Sequence, residues 1–504
     1  MIQARLAGTP ENTPIHPIII QGGMGAGVSS WRLARAVSGR GHLGVVSGTA
    51  LATILIRRLQ AGDPGGHLAR AASHFPLAGA VERAFKTYYV SGGKSSAQPY
   101  RLSAQPSQKP GANLVELTVL SNFIEVYLAK EGHDGLVGIN YLEKIQFPTL
   151  ASLYGALLAG VDYVLMGAGI PRTVPGMLDE LSAGRPARLK LDVEQALPGE
   201  SFECEFDPRS FLVGEAPLLS RPRFLAIISS ATLALTLVRK SNGRVDGFIV
   251  EGATAGGHNA PPRGPLQLTE KGEPIYGPRD LPDLAKIREL GLPFWLAGSF
   301  ADPEKITEAL EAGAAGVQVG TPFAFCEESG IAPEIKQRVI DRAFAEGNRV
   351  FTDPVASPTG FPFKVLELEK TMWDPAEYER RVRVCDLGYL RHAYRKADGT
   401  LGYRCPAEPV ADYEAKGGLA ADTVGRKCVC NGLMATIGMG QSLAADEQEL
   451  ALVTAGDDVS RLRRLLRAGQ RSYTANEVLD FLEGKPAAGS SGQAGAGGLP
   501  AGQP

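Results

Sequence analysis

Eight short apolar segments punctuate the first two thirds of the chain, and helix-length segments separate most of them. The apolar segments are 16–20, 43–46, 136–140, 162–166, 224–228, 247–250, 294–297 and 316–319. Because these segments are apolar on both faces, they predict strands buried in a parallel sheet. The segments 29–39, 148–159, 232–241, 281–290 and 302–312 predict helices between them.

Eight strand-then-helix units fit a (β/α)₈ barrel, the α/β fold in which a parallel sheet closes on itself. An open doubly wound sheet uses the same units, and periodicity alone does not separate the two folds. The count of eight and the length of the repeat favour the closed form. We therefore predict a TIM barrel over residues 1–362, with an inserted segment and a C-terminal subdomain.

Four segments depart from the repeat. Residues 64–113 are polar and rich in Pro, Gly and Ser, which predicts an insertion over the barrel mouth. Residues 187–219 contain two alternating runs that predict a small extra hairpin. Residues 363–484 predict a C-terminal subdomain that ends in two amphipathic helices, and the low-complexity segment 485–504 predicts a disordered tail.

Charge and hydropathy exclude several classes of partner. The 52 Lys and Arg residues nearly balance the 54 Asp and Glu residues, so a nucleic-acid partner is not expected. No uninterrupted apolar run approaches the ~18 residues of a membrane span, and no secretory signal is visible, so we expect no membrane partner and a cytoplasmic location. A small-molecule substrate becomes the default.

Glycine-rich loops follow three of the predicted strands. A glycine run begins after the first strand, and glycines there allow a ligand to approach the backbone closely. Loops after the seventh and eighth strands of a barrel commonly form a phosphate site. Those loops predict a phosphorylated cofactor bound at Gly298, Ser299, Gly320 and Thr321.

One histidine stands in a glycine-rich loop at the end of the sixth strand. Active sites of barrels lie on this face, and the glycines before His258 expose its imidazole. Isolated histidines also serve structural roles. We predict that His258 is a general base, because imidazole titrates near neutrality.

Three stretches, 18–48, 250–258 and 296–330, resemble in this order the nitronate monooxygenase family, also called 2-nitropropane dioxygenase-like. The resemblance covers most of residues 15–363 and implies a TIM barrel that binds FMN. It places the flavin phosphate over the two phosphate loops and makes His258 the catalytic base. The implied flavin contacts are Gln21, Gly22, Gly23, Met24, Asn140, Gly257, Gly298, Ser299, Gln318, Gly320 and Thr321.

The resemblance implies oxidation of alkyl nitronates with O₂. The family's usual Glu-Ala-Gly-Gly-His core is here Thr254-Ala255-Gly256-Gly257-His258, which leaves the substrate open. Related flavin barrels include enoyl-ACP reductases that use NADH and partners of polyunsaturated fatty acid synthases. An enoyl thioester reductase, or an accessory flavoprotein with little turnover of its own, is therefore the alternative. The expected assembly is a homodimer or a complex with a fatty acid or polyketide synthase.

Four of the six cysteines, Cys385, Cys405, Cys428 and Cys430, fall close together near the C-terminus. Such clustering without a disulfide framework predicts a metal site, either zinc or an iron–sulfur cluster. Reduced thiols and a Cys428/Cys430 redox pair are the alternatives. We predict that the four cysteines meet at one site, which stabilises the C-terminal subdomain and takes no part in flavin chemistry.

Overall fold

A computed structural model of the chain describes residues 16–444, 447–467 and 469–485. Seventeen strands are described. In chain order they are β1 (Ile19–Gln21), β2 (Leu43–Ser47), β3 (Val137–Leu142), β4 (Tyr163–Gly167), β5 (Ala187–Lys190), β6 (Val193–Glu194), β7 (Glu203–Phe206), β8 (Arg223–Ile228), β9 (Gly247–Glu251), β10 (Phe294–Ala297), β11 (Gly316–Val319), β12 (Val350–Asp353), β13 (Phe363–Leu366), β14 (His392–Arg395), β15 (Leu401–Arg404), β16 (Ser442–Ala444) and β17 (Glu447–Gln448).

Seventeen α-helices accompany these strands in the described part of the chain. In order they are α1 (Trp31–Ser38), α2 (Leu51–Gln60), α3 (His67–Ala72), α4 (Ala78–Tyr88), α5 (Ala112–Lys130), α6 (Thr149–Leu158), α7 (Val174–Ser182), α8 (Pro208–Leu212), α9 (Ala231–Lys240), α10 (Leu284–Arg288), α11 (Pro303–Glu311), α12 (Thr321–Ala324), α13 (Pro333–Phe344), α14 (Pro375–Arg380), α15 (Val410–Ala415), α16 (Val429–Thr436) and α17 (Ala475–Leu482). Short 3₁₀ helices span Pro278–Asp280, Ala420–Thr423 and Asp457–Leu465.

The eight predicted strands form one closed parallel barrel. β1 to β4 and β8 to β11 pair in chain order, and β1 closes the ring by pairing with both β2 and β11. The closure confirms the TIM barrel and rules out the open sheet. The predicted hairpin between β4 and β8 is also present, because β5 and β7 pair antiparallel.

Alternate residues of the barrel strands fill the barrel interior. Tyr163, Leu165, Ile249 and Trp295 belong to a small buried cluster that is separate from the larger core between strands and helices. The Trp295 indole N–H donates to the Pro17 carbonyl oxygen at 2.7 Å, which satisfies the one polar atom of this side chain. Side chains alternate along a strand, so a residue two positions after a member of this cluster also points into the barrel interior. That residue lies one layer closer to the carboxyl ends of the strands.

Helix α5, which the sequence patterns did not predict, occupies the barrel's outer ring between β2 and β3. By length and composition it could cross a membrane, yet 72% of its most apolar window is buried inside the protein. Its Glu125 carboxylate binds Arg58 Nη1 at 2.6 Å and accepts from the Trp31 backbone N–H at 2.8 Å. α5 therefore has the burial and the polar contacts of a core helix.

The insertion 64–113 contains α3 and α4 and then an extended stretch that reaches the C-terminal part of the chain. The Tyr100 backbone N–H donates to Gln441 Oε1 at 2.6 Å, and Gln105 Nε2 donates to the Cys385 carbonyl oxygen at 2.8 Å. These contacts join two segments more than 250 residues apart, as their sequence separations of 341 and 280 record.

The C-terminal part of the chain packs against the barrel. Its buried side chains belong to the same core cluster as the barrel helices, and Tyr473 Oη donates to the Pro322 carbonyl oxygen at 2.7 Å. Of the two predicted amphipathic helices, the first is the 3₁₀ helix Asp457–Leu465 and the second is α17. Apart from Lys485, the predicted tail lies outside the described residues.

Candidate functional site

A cavity of about 210 Å³ opens at the carboxyl ends of the barrel strands. The predicted residues that line it are Gly22, Gly23, Met24, Asn140, Gly257, His258, Gly298, Ser299, Gln318, Gly320 and Thr321. The barrel explains this convergence, because the loops that follow parallel strands all meet at one face. The sequence motifs are thus brought together at a single site.

Gln21 is the member of the predicted set that the structure does not bring to the cavity. Its side chain is fully buried, Nε2 donates to Ser29 Oγ at 2.9 Å, and Oε1 accepts from the Val45 backbone N–H at 3.1 Å. A direct flavin contact by Gln21 therefore stays a prediction. The side chain braces the glycine loop from below, because each of its polar atoms is engaged by the protein.

Two amide side chains on the cavity floor have unpaired acceptors. The strand neighbours of Asn140 and Gln318 point outward into the core between strands and helices. Because side chains alternate along a strand, Asn140 and Gln318 point into the barrel mouth. Within the described residues, Asn140 Oδ1 and Gln318 Oε1 have no hydrogen-bond partner although both are buried. Buried acceptors are normally hydrogen-bonded, so these two oxygen atoms suit a ligand that carries N–H or O–H groups.

The glycine loop after β1 lies directly against this floor. A Cβ atom placed on Gly23 would lie 2.4 Å from Asn140 Cβ, well inside van der Waals contact. Asn140 Nδ2 also donates to the Gly23 carbonyl oxygen at 3.3 Å. The loop can pack so tightly over the floor only because position 23 lacks a side chain.

The two predicted phosphate loops form one wall of the cavity together with a third segment. Ser299 adopts the left-handed region at φ 59°, which is uncommon for a residue other than glycine and typical of functional loops. Residues 454–456 complete the wall: the Gly456 backbone N–H donates to Thr321 Oγ1 at 2.9 Å, and the Gly257 backbone N–H donates to Thr454 Oγ1 at 3.0 Å. Sequence reasoning missed this segment, for which the run Thr454-Ala455-Gly456 was the available signal.

His258 is held at the cavity by contacts from the C-terminal side of the barrel. Its Nε2 lies 2.7 Å from Ser357 Oγ, and its ring meets the Phe363 ring edge-on at 4.8 Å between centroids. Burial lowers the pKa of His258 to about 4, so the imidazole is neutral at neutral pH. Among the described residues, Nδ1 has no hydrogen-bond partner. When Nε2 donates to Ser357 Oγ, Nδ1 is the unprotonated nitrogen and can accept a proton.

The four C-terminal cysteines line a second, very small cavity of about 10 Å³, as the sequence predicted that they would meet. Burial raises the pKa of Cys428 to about 12, and contact with Cys405 lowers the pKa of Cys385. Metal ligation requires thiolates, and the described residues contain no group of three or more His, Cys, Asp or Glu side chains arranged to hold a metal ion. The geometry therefore does not support the predicted zinc or iron–sulfur site. Cys430 also lines the larger cavity.

The residues of the larger cavity fit FMN, the cofactor that the sequence resemblance implies. The wall of backbone N–H groups and hydroxyls suits a phosphate. The unpaired acceptors of Asn140 and Gln318 suit the N–H group of a flavin ring. Apolar side chains, among them Ile227 and Leu433, would cover its faces.

Comparison with known proteins agrees with the resemblance. Residues 218–358 match the family model described as Nitronate monooxygenase. A "Probable nitronate monooxygenase" of Bacillus subtilis is 34% identical over 114 residues, which are 22% of this chain and 30% of that protein. A (3aS,4S,5R,7aS)-5-hydroxy-7a-methyl-1-oxo-octahydro-1H-indene-4-carboxyl-CoA dehydrogenase of Mycobacterium tuberculosis is 32% identical over 232 residues, or 43% of this chain and 60% of that one.

The matched part of each of these relatives is less than two thirds of its length. Among solved structures, FabK from Thermotoga maritima is 15% identical, with a TM-score of 0.48 over 93% of this chain and 91% of that chain. A nitroalkane oxidase from Streptomyces ansochromogenes is 18% identical, with a TM-score of 0.41 over 93% of this chain and 95% of that chain.

Proposed function

We propose that this chain, whose residues 218–358 match the nitronate monooxygenase family model, is an FMN-dependent oxidoreductase that oxidises alkyl nitronates with O₂. The observation that carries the proposal is the position of His258. Its neutral imidazole lies in the same cavity as a wall suited to a phosphate and a floor with unpaired acceptors. A base and a cofactor site in one cavity suit redox chemistry at an acidic carbon.

The side chains of the cavity have distinct tasks in this proposal. When bound, FMN would take electrons from the substrate and pass them to O₂. If a neutral nitroalkane enters, His258 Nδ1 accepts the proton of the carbon that bears the nitro group, and the nitronate remains. Ser357 holds the opposite ring nitrogen at 2.7 Å and so fixes the direction of Nδ1. The backbone N–H groups around Gly298 and Gly320 would hold the phosphate of bound FMN.

A second candidate function is the reduction of an enoyl thioester, such as an acyl chain on a carrier protein of a fatty acid or polyketide synthase. A narrower cavity of about 40 Å³ shares Thr49, Tyr141 and Tyr389 with the larger one and continues between Pro106 and Phe147. Its lining is largely apolar, which suits an acyl chain. The name of the M. tuberculosis relative, a carboxyl-CoA dehydrogenase, also favours a thioester substrate.

Flavin content tests the proposal first. We expect the purified protein to be yellow and to release about one FMN per chain on denaturation, because one barrel mouth accommodates one flavin. Absorption spectra and chromatography of the released flavin measure this. A colourless protein that neither contains FMN nor takes it up would overturn both candidate functions.

Two assays then separate the candidates. In air, a nitronate should be consumed together with O₂ if the first candidate is correct. Without air, NADH should bleach the flavin, and an enoyl thioester should restore its colour, if the second is correct. Flavin binding without either reaction would instead favour an accessory flavoprotein.

A further inference from the structure

The cavity floor carries a carboxyl group that the proposed chemistry does not use. Glu251 is the last residue of β9, and Ile249, two positions earlier, belongs to the buried cluster inside the barrel. Because side chains alternate along a strand, Glu251 points to the same side as Ile249. It lines the cavity beside Asn140 and Gln318, in the uppermost layer of the barrel interior.

This carboxyl group has no partner in the protein. Among the described residues, none forms a hydrogen bond or an ion pair with the Glu251 side chain, and no lysine or arginine lines the cavity. The other acidic or basic groups in the cavity lining are His258, which is neutral, and Asp458, whose pKa burial raises. Cys430 and two tyrosines complete the titratable groups there. The described surroundings therefore contain no positive charge that would stabilise an ionised Glu251 carboxylate.

A carboxylic acid in such surroundings keeps its proton. An ionised carboxylate without a counter-charge or donors is costly in a low-dielectric site, so the neutral form is favoured. Burial raises the pKa of Glu251 to about 8. The group is thus protonated at neutral pH and loses its proton as the pH rises above that value. In its neutral form it supplies one O–H donor to the cavity.

We propose that the Glu251 carboxyl group, held in its protonated form on the cavity floor, donates a hydrogen bond to the ring of the bound flavin. The ring offers carbonyl oxygens and ring nitrogens as acceptors, which complement this donor, whereas Asn140 and Gln318 offer acceptors to its N–H group. The inference rests on the proposed function, since it needs a flavin in this cavity. Glu251 is a cofactor-binding residue in this proposal.

Release of FMN from the holoprotein tests the inference. Below about pH 7 the wild type should hold FMN tightly, and its affinity should fall about tenfold by about pH 9.5, because ionisation removes the donor. Glu251→Gln keeps a donor that does not titrate, so its affinity should stay within about threefold of wild type at pH 7 and vary little with pH. Glu251→Ala should bind about tenfold more weakly at pH 7. Fluorescence of the released FMN reports each affinity.

The matched control is Glu143→Gln. Burial also raises the pKa of Glu143, yet this residue pairs with Lys144 at 3.4 Å and lies outside the cavity lining. Its variant should keep the wild-type pH profile. Infrared titration of the holoprotein provides a second readout, in which the carbonyl band of a protonated carboxylic acid disappears above about pH 8 in the wild type, because bound FMN raises the pKa of Glu251 further, and is missing in Glu251→Gln.

Each result supports or overturns the proposed role of Glu251. Equal pH profiles for the wild type and Glu251→Gln, or an unchanged affinity in Glu251→Ala, would overturn the role of Glu251 while leaving the flavin site intact. If the wild type binds no FMN at any pH, the proposed function fails and the inference fails with it. The two failures are distinguished by the wild-type affinity at pH 7.

Discussion

Replacing His258 with asparagine or alanine is expected to lower turnover of a neutral nitroalkane by about 10² to 10⁴-fold, while turnover of the preformed nitronate stays close to that of the wild type. The reason is that a base is needed only when a proton must leave carbon. Burial holds the pKa of His258 at about 4, so its base form is present at neutral pH and is lost only as the pH falls through that value. Steady-state oxygen consumption with both forms of the substrate measures the difference.

The same assay includes its own controls. FMN content of the variant should be unchanged, because His258 contributes one side chain to a cavity with many other contacts. Wild-type turnover of the neutral nitroalkane should persist down to about pH 5, above the pKa of the base. Equal losses on the nitroalkane and the nitronate would assign His258 to binding and contradict its role as a base.

Breaking the buried Arg381–Glu449 ion pair is expected to destabilise the protein by about 3 to 5 kcal/mol. Arg381 donates to the two carboxylate oxygens at 2.6 Å and 2.5 Å, and the side chains are 2% and 0% exposed. Arg381→Met would leave the Glu449 charge buried without its ion-pair partner and with the Leu450 backbone N–H as a remaining donor at 2.9 Å, which is the costly case. The midpoint of urea unfolding, followed by tryptophan fluorescence, measures the loss.

An exposed pair provides the comparison. Arg185 and Glu180 also form two hydrogen bonds, but their side chains are 54% and 43% exposed, so Arg185→Met should cost about 1 kcal/mol or less. The double variant Arg381→Met/Glu449→Leu should recover much of the stability, because apolar pairs of similar volume often replace buried ion pairs well. Similar costs for Arg381→Met and Arg185→Met would contradict this account of the buried pair.

Sequence reasoning found the barrel because its signals are local. A strand buried on both faces must be apolar at each position, as in Phe294–Ala297, whatever the rest of the chain does. The loops after the strands could also be placed, since a parallel barrel gathers them at one end. Every residue of the predicted flavin-contact set except Gln21 therefore lines the cavity together with His258, although many other lining residues were not predicted.

The details of the site depended on contacts between distant residues. Gly257 meets Thr454 across 197 positions, and Ser357 reaches His258 across 99, so no spacing in the sequence reports either contact. Gln21 is the last residue of β1 and directly precedes the glycine loop, yet its amide turns inward because Ser29 and Val45 supply its partners.

The tertiary structure likewise decided the protonation states of the acidic and basic side chains in the cavity. The sequence identifies Glu251 as a carboxyl group and His258 as an imidazole, and it gives both their ordinary pKa values. Burial moves the two pKa values apart, to about 8 and about 4, because the cavity withdraws water and provides no counter-charge. The sequence by itself thus determined the barrel and the chemical groups at its mouth, whereas only burial in the folded cavity decided which of those groups carry a proton.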